Sequence, residues 1–99
     1  MKKHGISSED IDILRTILKD YDQVYVFGSR AKGTQRPFSD LDICLKSDIS
    51  DYEYELLKEK FEESDLPFTV DIIQYNKIDN SFKKRIDQEL IPLAAFLNF

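Results

Sequence analysis

The sequence predicts an α/β (α+β) domain, a small mixed β-sheet flanked by helices. Three observations carry that expectation. Apolar residues recur at helical spacing in three segments, and three short β-branched and aromatic runs lie between or beside them. Capping residues stand at the helix starts, and Gly28 and Pro67 punctuate the strand boundaries. No internal repeat or low-complexity linker interrupts the 99 residues, so residues 1–99 are expected to form one domain with one core.

Taken in order, Ser7 or Ser8 can cap a first helix whose first turn holds Glu9 and Asp10. Ile11, Leu14, Ile17 and Leu18 then follow helical spacing to about Tyr21. Gln23 to Phe27 reads as a first strand ending at Gly28. Ser29 to Ser39 is a polar loop with room for a short helical start. Asp40 to Lys46 reads as the second strand. Ser50-Asp51-Tyr52-Glu53 has capping-box spacing and opens a helix expected to bury Tyr52, Leu56, Leu57 and Phe61. Pro67 precedes a third strand, Phe68 to Tyr75. A last helix runs from Asp79 or Asn80 to about Leu90 on a stripe of Phe82, Ile86 and Leu90. The run from Leu90 to Phe99 holds one polar residue in ten, and is expected to pack back on the domain or to face an oligomer or partner.

Bulk properties exclude several classes. A net charge of -5 argues against general nucleic-acid binding, which calls for a basic balance. No apolar run approaches the ~20 residues of a membrane span, and no signal-peptide core follows Met1-Lys2-Lys3-His4-Gly5. His4 is expected to lie in a disordered terminus. Cys44 is the only cysteine and is expected to be a small buried or pocket-wall residue; a lone thiol suits a reducing cytoplasm.

The segment richest in chemistry runs from Phe27 to Ile43. Gly28 lets the backbone approach a ligand, and exposed N–H groups with the Ser29 hydroxyl can hold phosphate oxygens. Arg30, Lys32 and Arg36 add positive charge, with no acidic residue between Gly28 and Ser39. Neither P-loop nor dinucleotide-fold glycine spacing is present. The pattern Asp-x-Asp occurs three times, at Asp10/Asp12, Asp20/Asp22 and Asp40/Asp42. Only Asp40 and Asp42 fall in a strand, where alternate side chains share a face roughly 6–7 Å apart. That spacing can bracket two metal ions about 3.5–4 Å apart, but it equally suits a half-exposed strand. Asp71 interrupts the apolar run Phe68-Thr69-Val70-Asp71-Ile72-Ile73, where a buried charge is costly unless paired or metal-bound. On a neighbouring strand about 4.8 Å away it could join Asp40 and Asp42; paired with a lysine, or on an edge strand, it would be unremarkable.

Together, Gly28-Ser29, ten intervening residues, Asp40-Leu41-Asp42 and the later Asp71 resemble the signature of the DNA polymerase β-type nucleotidyltransferase superfamily. The resemblance is closest to minimal nucleotidyltransferase (MNT) domains, through Phe27-Gly28-Ser29-Arg30-Ala31-Lys32-Gly33 and Ser39-Asp40-Leu41-Asp42-Ile43. It implies the polymerase β-like fold, with catalytic and metal-binding Asp40, Asp42 and Asp71. It further implies nucleotide-binding Gly28, Ser29, Arg30 and Lys32, with Arg36 a weaker phosphate or partner contact. Two Mg²⁺ ions and ATP follow, with AMP transferred to a hydroxyl. MNT proteins of this size resemble antitoxins of type VII-like toxin–antitoxin pairs. The implied partner is an all-helical HEPN toxin or substrate-binding protein, AMP-modified on a tyrosine. The alternatives are a non-catalytic toxin-neutralising module and transfer to a small molecule, for which no acceptor domain is present.

Overall fold

The structure, a computed structural model, describes residues 4–98. In chain order it contains α1 (Ser8–Leu18), β1 (Val24–Phe27), α2 (Ser29–Lys32), β2 (Leu41–Leu45) and α3 (Asp51–Glu62). There follow β3 (Val70–Gln74), a 3₁₀ turn (Tyr75–Lys77), α4 (Asn80–Asp87), β4 (Ile91–Pro92) and α5 (Leu93–Leu97). Side-chain oxygens cap three helices as their sequences require. Ser7 accepts from the Asp10 N–H, Ser50 from Glu53 and Asp79 from Phe82.

The sheet has the order β3-β2-β1-β4. β1 runs antiparallel to β2 and to β4, whereas β2 and β3 are parallel and joined by the α3 crossover. Strand alternation divides the core in two. Val24, Val26, Leu41, Ile43, Leu45 and Ile72 face α1, α3 and α5, where Leu14, Leu57 and Phe96 are buried. Phe27, Cys44 and Ile73 face the other way, under Phe82 and Ile86 of α4. Burial there pushes the Cys44 thiol up to about 11, so it stays protonated at neutral pH.

Three expectations change. Tyr52 and Leu56 are exposed, at 74% and 38%, and the face of α3 that packs inward is Tyr54, Leu57 and Phe61. His4 is fully buried: its Nδ1 accepts the Ile6 N–H (2.9 Å) and its ring tilts against Phe96 at 5.1 Å. Asp71 is exposed, because β3 is an edge strand, so it is not the core charge that the apolar run suggests. The apolar tail packs back on the domain, the first of its two expected placements: it forms β4 and α5, and Phe96 and Leu97 enter the core. Pro92 is tolerated in β4 because that strand is the opposite edge. No helix among the described residues is long and apolar enough to cross a membrane.

Candidate active site

The site gathers where β1 ends and where β2 and β3 begin. Gly28 follows β1 with φ 80 and ψ -157, a backbone state open essentially to glycine alone. A Cβ built on it would overlap the Asp42 Oδ2. The turn and the second carboxylate therefore occupy contiguous space. From Gly28 the chain enters α2, whose first amides, as in any helix start, lack intrahelical acceptors. Ser29 is half-buried and Lys32 exposed, and Gly33 ends the helix with φ 74.

Asp42 pairs across the sheet with Phe27 on β1 and lies in register with Asp71 on β3. Parallel register puts both carboxylates on the α4 face, and Asp40 lies one alternation earlier, just outside β2. Their charges crowd. The Asp42 carboxyl is held above the ordinary carboxylate range by burial first, then by Asp71, Asp40 and Glu89. Asp71 is raised by desolvation, then by the charge of Asp40 and a hydrogen bond to it.

Among the described residues, no ion pair involves any of these three acids; the pairs formed are Lys32–Glu89, Lys58–Glu55 and Lys77–Asp51. Nor do three such groups close into a metal cage by themselves. Mg²⁺ does not ask for one: it is commonly held by one or two carboxylates together with water and substrate phosphates. Hard oxygen donors, mutual repulsion and the adjoining Gly28 turn fit that mode of binding.

The remaining sequence candidates separate. Lys32 Nζ lies 3.3 Å from Glu89, whose charge also reaches Asp42. Arg36 is exposed. Arg30, expected at the nucleotide, is instead 4% exposed, its guanidinium engaged by backbone carbonyls and by the Phe68 ring. Its burial follows from those partners, none of which lies near it in sequence. Sequence reasoning also missed Glu89, Phe38 and Phe68. Glu89 follows α4, far along the chain from Asp42, and no local pattern marks it. Phe38 carries φ 65 in a turn closed by the Ser39 N–H on the Arg36 carbonyl (3.0 Å), and is 74% exposed. A cleft of about 940 Å³ beside β3 is lined by Phe27, Phe38, Asp42, Phe68, Asp71 and Phe82, among others.

Comparison with known proteins identifies the family and the fold. The family model described as "Polymerase beta, Nucleotidyltransferase" matches residues 11–94. A relative from Haemophilus influenzae, "Probable protein adenylyltransferase MntA", is 39% identical over 87 residues, spanning 82% of this chain and 75% of that protein. A solved structure, "Crystal structure of the toxin-antitoxin with AMP-PNP", superposes with a TM-score of 0.66. It is 23% identical over 83% of this chain and 70% of that one, which is a likeness of fold. The chain thus belongs to the polymerase β nucleotidyltransferase family, as an enzyme of the minimal nucleotidyltransferase type.

Proposed function

We propose that residues 1–99 form a minimal, cytoplasmic, Mg²⁺-dependent nucleotidyltransferase that moves AMP from ATP to a tyrosine of a helical HEPN-type toxin, and so acts as its antitoxin. One observation carries the reading: the Gly28 turn and Asp42 fill contiguous space, with Asp71 in register beside them. Phosphate-binding and acidic groups meet at one point. The adenylyltransferase name of the Haemophilus relative supports AMP as the group transferred, and the toxin–antitoxin complex of similar fold supports a toxin as partner.

In this reading the Gly28-Ser29 turn holds the β- and γ-phosphates, and Lys32 adds charge at its exposed flank. Asp40, Asp42 and Asp71 would hold Mg²⁺. Bound there, two such ions would supply charge neutralisation between the carboxylates and the triphosphate. Asp71, exposed at the sheet edge, takes the proton from the incoming hydroxyl. The hydroxyl oxygen forms the new bond to the α-phosphorus, the α–β bridging bond breaks, and pyrophosphate leaves. Positioning and charge placement supply the rate, without a protein nucleophile.

The edge position of β3 and the open cleft beside it favour an acceptor delivered by another protein. The test is incubation with labelled ATP, Mg²⁺ and the protein encoded beside it. Label is expected on a partner tyrosine, and Asp40→Asn with Asp42→Asn should remove it. Undiminished labelling by that double variant would overturn the reading, and full neutralisation of the toxin without labelling would favour a pure binding module.

A further inference from the structure

Arg30 lies inside the motif that recommends it as a phosphate ligand, yet its donors are committed elsewhere. Nε and Nη2 both donate to the Ser39 carbonyl, at 3.0 and 2.8 Å. Nη1 donates to the His4 carbonyl at 2.8 Å. The guanidinium also lies 4.5 Å from the centroid of the Phe68 ring, a cation–π distance. Two of these partners lead to the site. Ser39 immediately precedes Asp40, and Phe68 lies on the approach to β3 and Asp71. His4 is anchored against Phe96 of α5.

The charge balance points the same way. Burial lowers the Arg30 pKa, while the charge of nearby Asp40 opposes that lowering. The loop it grips is a demanding one, since Phe38 stands in left-handed backbone that a bulky residue adopts at a cost. Ser39 is tied twice to Arg36, through its own N–H and through its Oγ, which accepts the Arg36 N–H at 2.8 Å. A turn strained in this way keeps its shape only when neighbours over-determine it.

We infer that Arg30 is a positioning residue: its forked grip on Ser39, braced by His4 and Phe68, aims Asp40 into the carboxylate cluster, and it does not bind the triphosphate. The inference rests on the reading of Asp40 as a metal-binding acid. Only a planar fork can place two N–H groups on one carbonyl and a third on another; a lysine ammonium cannot reproduce it.

The test compares Arg30→Lys, Arg30→Ala and wild type by calorimetric titration of ATP with and without Mg²⁺, and by hydrogen exchange across residues 36–40. Positioning predicts that both variants bind metal-free ATP within about twofold of wild type. Both should lose most of the tightening that Mg²⁺ confers, and residues 36–40 should exchange at least about tenfold faster. A direct phosphate contact predicts weaker ATP binding with and without Mg²⁺, partial rescue by lysine and unchanged exchange; that result overturns the inference. Wild-type behaviour of Arg30→Lys overturns it equally. If neither arginine variant folds, Phe68→Leu carries the same comparison, because it removes the ring under the guanidinium and leaves the charge. Asp40→Asn separates the two layers: retained Mg²⁺ tightening there defeats the reading of Asp40, whereas the arginine series decides the role of Arg30.

Discussion

At Gly28 one missing Cβ does two things, permitting φ 80 with ψ -157 and leaving space for the Asp42 carboxylate. Gly28→Ala is expected to cost ~1–3 kcal/mol in stability through backbone strain. The larger loss should be functional. Asp42 Oδ2 is the far end of a side chain and can yield, but only by leaving its place beside the turn. A displacement of that size can cost ~10²-fold in rate, so AMP transfer should fall by about that factor while the variant stays folded. Wild-type transfer rates in a folded Gly28→Ala would refute the close fit. The Gly28-Ser29 turn and the Asp40/Asp42 spacing are short-range patterns visible in the sequence, and the fold brings Gly28 against Asp42. For Arg30 the residue type suggests phosphate, whereas the contacts with Ser39, His4 and Phe68 that support a positioning role leave no local mark in the sequence.

At the scale of elements, caps and strand alternation are local and were legible, as Ser7, Ser50 and Asp79 show. The inward face of α3 was not. Five apolar or aromatic residues at positions 52, 54, 56, 57 and 61 allow more than one stripe. Helical geometry places Tyr52 about 140° around the axis from Leu57, and burial selects Tyr54, Leu57 and Phe61. Tyr54 is further fixed by its hydroxyl, which donates to the Ile72 carbonyl at 2.8 Å. Leu57→Ala should therefore cost ~2–5 kcal/mol, as for other buried leucines. Tyr52→Ala should stay within ~0.5 kcal/mol of wild type. Chemical denaturation of the pair checks this; similar losses in both would place the wrong face inward.

Across the whole molecule the least legible feature is how the two ends of the described chain meet. The His4 Nε2 lies 3.4 Å from the Leu97 carbonyl, across a separation of 93 residues, and no periodicity announces such a contact. The tail from Leu90 was readable as apolar, but not as a strand and a helix, because so uniform a run has no period. Its docking contributes substantially to stability. Phe96 is fully buried, and Phe96→Ala is expected to cost ~3–5 kcal/mol. For a domain with ~5–15 kcal/mol in total, that is a large share. A shift below ~0.5 kcal/mol in urea unfolding would show α5 to be an appendage.

The parallel pairing of β2 with β3 has a consequence in time as well as space. Asp42 and Asp71 come into register only when the chain has travelled out through α3 and back, a closure more costly than that of any hairpin. Helices and local turns can form without it, but the acidic cluster cannot. On the proposed reading, AMP transfer therefore waits on closure of this crossover, and a chain still half refolded holds these two carboxylates apart.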